Sequence, residues 1–336
     1  MNISTNYLGL KLKNPVIVGA CNLSLDISKA KELEEAGASA IVFKSLFEEQ
    51  LNLEAAQLSE DLHQYDDRHA EMLNLFPNIE HSGPKAHLLA LKELKENVSI
   101  PVIASLNCIY KESWEEYALH LANAGADALE LNFYATITDA DKDPHEIENL
   151  QVEVLKKIKG KVKIPVSVKL SPYYTNPLAF IKRLEEIGAD GYVLFNRLFQ
   201  PDIDVWEEVL QMPYNLSKDG DNRLSLRYMG LLSGQVKGSL VANTGILKGT
   251  DVAASILAGA DAVQVVSTLY KNGTSAINTI LNELSDWMNK KGYSSIDDFK
   301  GKMSKTSLKQ PYAYKRAQYV DFLMKASEFE NHYPVK

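Results

Sequence analysis

Eight short apolar runs recur along the chain, with helical patterns between them, and this alternation restricts the fold more than any other feature. The runs are PVIVGA (15–20), AIVFKS (40–45), PVIASL (101–106), ALELNF (128–133), PVSVKL (165–170), GYVLFN (191–196), SLVANT (239–244) and AVQVVS (262–267). Each is rich in Val, Ile, Leu and Ala and has the length of a strand buried on both faces, as in a parallel sheet. Between them, ISKAKELEEAG (27–37), ESWEEYALHLANAG (112–125), NPLAFIKRLEEIG (176–188) and GTDVAASILAG (249–259) place apolar residues three and four apart. These four helices end alike, in EEAGASA, NAGADA, EIGADG and LAGADA. Gly37, Gly125, Gly188 and Gly259 stand where a helix C-terminus turns into the left-handed conformation. Eight alternating β-α units predict the α/β class and a (β/α)8 TIM barrel. A doubly wound open sheet shares the alternation, but no G-x-G-x-x-G follows the first strand.

The spacing of the units is uneven. About fifty residues follow strand 2, including DDRHAEMLNLFPNIEHSGP (66–84), and a long stretch from Arg197 to Gly230 follows strand 6. Insertions after strands lie at the C-terminal face of a barrel, so both are candidate lids over a site. The domain reading is a barrel over 1–292 and a helical extension over 293–336, in which YAYKRAQYVDFLMKASEF has the pattern of an amphipathic helix packing on the barrel or on a partner. Composition, 45% hydrophobic and 24% charged over 336 residues, is that of a soluble globular chain. A net charge of −8 argues against nucleic acid. No apolar run is long enough to span a membrane, and the N-terminal stretch lacks the apolar core of a signal peptide. With only Cys21 and Cys108, a disulfide framework and a cysteine-held iron–sulfur centre are excluded, and a reducing, cytoplasmic setting is expected. His63, His69, His81 and His87 fall in the strand 2–3 insertion at spacings that match no metal site, and they read as exposed or lid residues.

The C-terminal ends of the strands should converge on one site. They carry Lys44 and Ser45, Asn132, Lys169, Asn196 and Arg197, Asn243-Thr244-Gly245, and Ser267-Thr268. One lysine in an apolar strand can be a snorkelling stem. Two on the functional face call for an anionic partner or a ligand that becomes negative. The asparagines supply donors and acceptors for a planar polar ligand. The loops NTGILKGTD (243–251) and STLYKNG (267–273) follow strands 7 and 8, where barrels often bind phosphate on backbone N–H groups. The residues therefore point to a phosphorylated ligand, either flavin mononucleotide (FMN) or a phosphorylated sugar.

The order of these motifs resembles the dihydroorotate dehydrogenase family from about residue 5 to residue 300. NPVIVGACN is similar to the family's first strand, with Ala20 and Cys21 near a flavin, and FKS to its Lys-Ser, with Lys44 and Ser45 on the isoalloxazine. LNLFPN (73–78) resembles its loop over the substrate, which brings in Asn74. ELNF resembles its Glu-Leu-Asn, so Asn132 would touch flavin and substrate, and VKLSPY its Val-Lys-Leu-x-Pro, so Lys169 would lie beside flavin N1 and O2. The resemblance also implies that Asn196 binds substrate, that Gly230, Gly245, Ser267 and Thr268 cradle the FMN phosphate, and that the protein is a homodimer.

The sequence departs from the family where the substrate-side base belongs. The family's Cys or Ser falls on Ala135, which cannot take a proton, two further asparagines fall on Ile137 and near Met72, and a serine becomes Arg197. Three readings follow. One is a dihydroorotate dehydrogenase whose base is Tyr134, Thr136, Thr138 or Cys108. Another is a related FMN oxidoreductase in which Tyr134 moves the proton and Arg197 holds a carboxylate. The third is a flavin-binding or partner-dependent subunit with little turnover. On this reading Lys44, Tyr134 and Lys169 are the catalytic set. Fumarate, NAD through a partner and oxygen all stay open as electron acceptors. The alternative to all three is a non-flavin, phosphate-binding barrel lyase or isomerase.

Overall fold

Eight parallel strands close on themselves in the computed structural model, which describes residues 1–53, 84–134, 140–198, 200–213, 215–315 and 317–325. A short antiparallel pair, β1 (Thr5–Tyr7) and β2 (Leu10–Leu12), precedes the barrel. The barrel strands are β3 (Val16–Val18), β4 (Ala40–Phe47), β5 (Val102–Asn107), β6 (Ala128–Asn132), β7 (Val166–Leu170), β8 (Gly191–Leu194), β11 (Ser239–Ala242) and β12 (Ala262–Val265). The pair β9 (Asp202–Asp204) and β10 (Val209–Gln211) forms a separate hairpin within the insertion after β8. All eight apolar runs are barrel strands, paired in chain order, with β12 closing on β3.

Helices pack around the barrel: α1 (Ile27–Glu35), α2 (Lys85–Asn97), α3 (Lys111–Asn123), α4 (Pro144–Lys161), α5 (Pro177–Ile187), α6 (Arg223–Leu232) and α7 (Gly249–Ala258). They are followed by the short α8 (Ser267–Asn272), then α9 (Ala276–Lys291) and α10 (Ala317–Met324). Their starts are written locally. Asp26 accepts from the N–H groups of Ser28 and Lys29, Asp143 from that of His145 and Asn176 from that of Ala179, with proline at the first position of α4 and α5.

The repeated helix ends are one device used four times. Gly37, Gly125, Gly188 and Gly259 have φ of 110°, 99°, 95° and 124°. Two residues on, Asp127, Asp190 and Asp261 accept the N–H groups of Val102, Val166 and Leu240 at 2.7 Å each. Ser39 stands at the same place after Gly37 and donates to the Val16 carbonyl at 2.7 Å. Each of these residues thereby ties the start of its own strand to the start of the strand before it, which sets the register at the N-terminal rim.

Inside the barrel, Ile17, Ala40, Val42, Ile103, Ala128, Val193, Val241 and Ala262 form one cluster, plugged from below by Tyr7, Leu8 and Leu12. The larger cluster lies between strands and helices. After α9, Ile296 and Phe299 are buried, the Phe299 ring stacks on Tyr293 and meets Trp287, and Gly301 and Met303 donate to the carbonyls of Ile256 and Leu257. Further along, the Tyr314 hydroxyl donates to the Met303 carbonyl at 2.6 Å. In α10, Tyr319, Val320 and Leu323 are exposed. Most of the strand 2–3 insertion, with Asn74, His63, His69 and His81, lies outside the described residues. His87, expected as an exposed or lid residue, instead sits on α2 with its ring 4.8 Å from that of Phe43. Burial, assisted by Lys44, holds its imidazole down to about 4.

Asp190→Ala should leave the barrel folded but lower its stability by about 1–3 kcal/mol, because the Val166 N–H loses its acceptor. A urea midpoint equal to that of the unchanged protein would mean the clamp contributes nothing.

Candidate functional site at the barrel mouth

Strand alternation decides which side chains reach the inside. Two residues beyond the inward-facing Ala128 stands Glu130, and two beyond that Asn132; two beyond Ala262 stands Gln264. Lys169 on β7 faces these residues. Its ammonium donates to Gln264 Oε1 at 3.4 Å and lies 3.6 Å from Glu130 Oε1, a distance for an ion pair but too long for a hydrogen bond. Gln264 also donates to Glu130 Oε2, while Glu130 Oε1 has no hydrogen-bond partner among the described residues. Glu130 is 0% exposed and Lys169 8%. Both polar residues of this network beside Lys169 escaped the sequence reading, although a Glu in ALELNF and a Gln in AVQVVS stand out in otherwise apolar strands.

Asn132 and Asn196 lie side by side, with Asn196 Nδ2 donating to Asn132 Oδ1 at 2.6 Å. Asn107, at the end of β5, donates to the carbonyls of Asn132 and Tyr134 at 2.6 and 3.3 Å and so holds the start of the loop that follows β6. Tyr134 is half-buried. Ala135, Thr136, Ile137 and Thr138 lie outside the described residues. Cys108 is buried at the end of β5, and burial together with Glu48 and Glu49 pushes its thiol far up, so it is no base at neutral pH. Glu48 is itself spent on the start of α3, accepting from the N–H groups of Ile109 and Tyr110 at 2.7 and 3.0 Å.

Lys44 and Ser45 sit at a register shift between β4 and β5, where a bulge frees them from the regular ladder. Lys44 Nζ donates to Gln50 Oε1 at 3.2 Å, and Ser45 Oγ shares a 2.6 Å hydrogen bond with Ser105 Oγ. Ala20 lines the mouth, while Cys21 beside it is buried and its thiol is pushed up by that burial.

A cavity of about 220 Å³ lies over this network, lined among others by Ala20, Lys169, Asn196, Gly245, Gln264 and Ser267. The loop after β8 closes one wall: Ser217 N donates to Ser267 Oγ at 2.8 Å and Gly245 N to Ser217 Oγ at 3.2 Å. Gly245 has φ of 75°, and a Cβ there would lie 2.3 Å from the Asn222 backbone nitrogen, so only glycine fits. Thr244 beside it holds φ of 74°, a strained value for a β-branched residue, with its hydroxyl donating to the Phe195 carbonyl at 3.0 Å. Thr268 is buried and bonded to the Leu247 carbonyl.

Two expected anion-binding elements are placed otherwise. Gly230 lies in the last turn of α6, away from the mouth; a Cβ there would lie 1.9 Å from the Tyr314 hydroxyl, so this glycine makes room for the C-terminal extension. The start of α7 is also taken. Asp251 accepts from the N–H groups of Leu247 and Lys248 at 2.9 and 3.1 Å, and Glu283 from that of Gly249 at 2.6 Å. An anion is therefore left with the hydroxyls of Ser217 and Ser267 beside the turn at Gly245, since the N–H groups of Gly245 and Ser217 are themselves bonded; Ser217 had no signal in the sequence.

Arg197 separates the cavity from a second one of about 290 Å³ that reaches Tyr173, Gln200 and Leu224. Its guanidinium pairs with Asp221 at 2.6 Å and its Nε donates to the Asn215 carbonyl at 2.7 Å. Against the effect of burial, the Lys218 N–H and Arg197 hold the Asp221 carboxyl below its usual range. The residue expected to grip a substrate carboxylate thus already has a carboxylate partner within the protein.

Among the described residues no His/Cys/Asp/Glu group could hold a metal, and no helix is long and apolar enough to cross a membrane.

The sequence profile described as dihydroorotate dehydrogenase matches residues 2–288. The chain is similar to the catalytic subunit of dihydroorotate dehydrogenase B (NAD(+)) of Thermoplasma volcanium, 29% identical over 309 residues that cover 89% of this chain and 98% of the relative. The subunits of the same name from Thermoplasma acidophilum and Pyrococcus abyssi are 26% and 27% identical, also covering 89% of this chain and 98% of each relative. A closed (β/α)8 barrel, a polar mouth at its C-terminal face and a match along most of its length make this chain a member of the dihydroorotate dehydrogenase family, an oxidoreductase of the kind that acts on CH–CH bonds.

Proposed function

We propose that the protein is an FMN-dependent oxidoreductase that works on a CH–CH bond of a small cyclic or carboxylate substrate, with dihydroorotate as the first substrate to test. Family membership displaces the non-flavin lyase or isomerase as the alternative. The observation that carries the cofactor reading is the buried Lys169 ammonium on the cavity wall, with one long hydrogen bond at 3.4 Å to Gln264 and an ion-pair partner, Glu130, at 3.6 Å. That is the environment of a cation with a donor to spare for a ligand that gains negative charge. The hydroxyls and the narrow glycine turn at Ser217, Gly245 and Ser267 suit the phosphate end. When bound, FMN supplies acceptance of a hydride from a substrate carbon at its N5.

The protein's own residues do the rest. Lys169 steadies charge at the pyrimidine edge of the flavin. Asn132 and Asn196, joined to each other, orient the planar ligand, and Lys44 and Ser45 flank it from the bulge in β4. Tyr134 moves the proton on the substrate side in place of the residue that Ala135 lacks. Arg197, tied to Asp221, shapes the second cavity into which the substrate extends. The names of the relatives, catalytic subunits of an NAD(+) enzyme, favour NAD+ reached through a partner subunit over fumarate or oxygen.

A homodimer is supported by the hairpin. Ile203 and Leu210 are directly paired across β9 and β10 and are 61% and 72% exposed, and Val205 and Met212 are exposed near them. A two-stranded ribbon with an apolar face turned to water is marginal until something covers it, and a second copy on a cytoplasmic protein of this family suits that face.

The purified protein should show a flavin band after incubation with FMN, and anaerobic dihydroorotate should bleach it; absence of the band sinks the cofactor reading, and a band that persists sinks dihydroorotate alone. Tyr134→Phe should keep FMN yet slow the proton-moving half-reaction by at least about 100-fold; full retention of rate removes Tyr134 from the chemistry. Leu210→Asp should convert a dimer into a folded monomer by light scattering, and a dimer that survives places the interface elsewhere.

A further inference from the structure

Glu130 is a fully buried carboxylate that neither caps a helix nor reaches the cavity. It stands on β6 one inward position below Asn132, facing Lys169 on β7 and Gln264 on β12. Gln264 bridges the two charges, donating to Glu130 Oε2 and accepting from Lys169 at 3.4 Å. The remaining oxygen, Oε1, has no hydrogen-bond partner among the described residues and is 3.6 Å from the Lys169 nitrogen. An uncompensated charge in such a place costs several kcal/mol, so the carboxylate and the ammonium require each other. The ammonium is nonetheless held at arm's length from Glu130, on the side where it lines the cavity.

We propose that Glu130 is a positioning residue for Lys169: it seats the ammonium beneath the cavity and offsets part of the positive charge felt at the pyrimidine edge of a bound flavin. The inference rests on the FMN reading. A lone buried cation at that edge would strongly favour the reduced state and hinder passage of electrons to an acceptor, whereas a cation half-balanced from behind does so only moderately. Among the described residues, two uncharged titratable groups border this network, and two cations belong to the site as well: Arg197 on the cavity wall, paired with Asp221, and Lys44 on the β4 bulge, bonded to Gln50. The Tyr7 hydroxyl lies below, unpartnered, with burial and Glu130 pushing it up, and the Cys21 thiol lies at the mouth, pushed up by burial. Arg197 is already balanced by Asp221, so within the buried network the charge balance is that of Glu130 and Lys169, with Gln264 keeping them apart.

The test measures the flavin reduction potential in the FMN-loaded protein. Glu130→Gln, which keeps the shape and removes the charge, should raise it by at least the equivalent of a tenfold change in the oxidised-to-reduced ratio, about 30 mV for a two-electron couple. Glu130→Asp should shift it the same way by less, and Lys169→Met should lower it. A potential that is unchanged or lowered in Glu130→Gln overturns the inference. In the flavin-free protein, the unfolding midpoints of Glu130→Gln, Lys169→Met and the double variant should depart from additivity; additive effects show that the two charges are not coupled and overturn it as well. If the unchanged protein takes up no FMN, the cofactor reading has failed and the role at the flavin falls with it, while the stability cycle still decides the ion pair.

Discussion

A closed parallel barrel admits only every second side chain of each strand, and the site depends on that single restriction. The lower inward layers are apolar and plugged by Tyr7, Leu8 and Leu12. One layer higher the barrel accepts Glu130, Lys169 and Gln264, and above them Asn132. Polar groups in the middle of a barrel are tolerated because they satisfy one another, here from the adjacent strands β6 and β7 and from the distant β12.

The register that makes those groups meet is set at the opposite end. Asp127, Asp190 and Asp261 each receive an N–H from the first or second residue of the preceding strand, and Ser39 reaches the Val16 carbonyl. A slip of one residue would turn Lys169 outward and an apolar neighbour inward. The chemistry at the mouth is therefore tied to small capping motifs at the base of the barrel.

The family likeness and the departures from it lie in different parts of the site. Lys44, Ser45, Asn132, Lys169, Asn196 and Gly245 belong to strands and strand ends, and the barrel brings them to one rim. The insertion after β8 supplies Ser217, Asn215 and Asp221, which wall the cavity and engage Arg197. An arginine paired within the protein shapes the second cavity rather than presenting a free charge to it. On the proposed function, the strand ends would hold the cofactor and the insertion after β8 would shape the substrate side.

The eight strands, the helix caps and the repeated glycine turns were legible in the sequence because each depends on residues within a few positions of one another. Most strand-end candidates were legible for the same reason, since a (β/α)8 order puts every strand end on one face. Gly230 misled because a glycine that admits Tyr314 from the far end of the chain looks the same in sequence as one that admits a phosphate. Asp251 and Glu283 filling the start of α7, His87 lying against Phe43, and Arg197 pairing with Asp221 were equally hidden. So was the coupling of Glu130 to Lys169 through Gln264, which spans 134 residues of chain. Hydrophobic period and turn chemistry are local and determine the barrel; which polar groups face one another across it depends on closure and register, which only the folded chain decides.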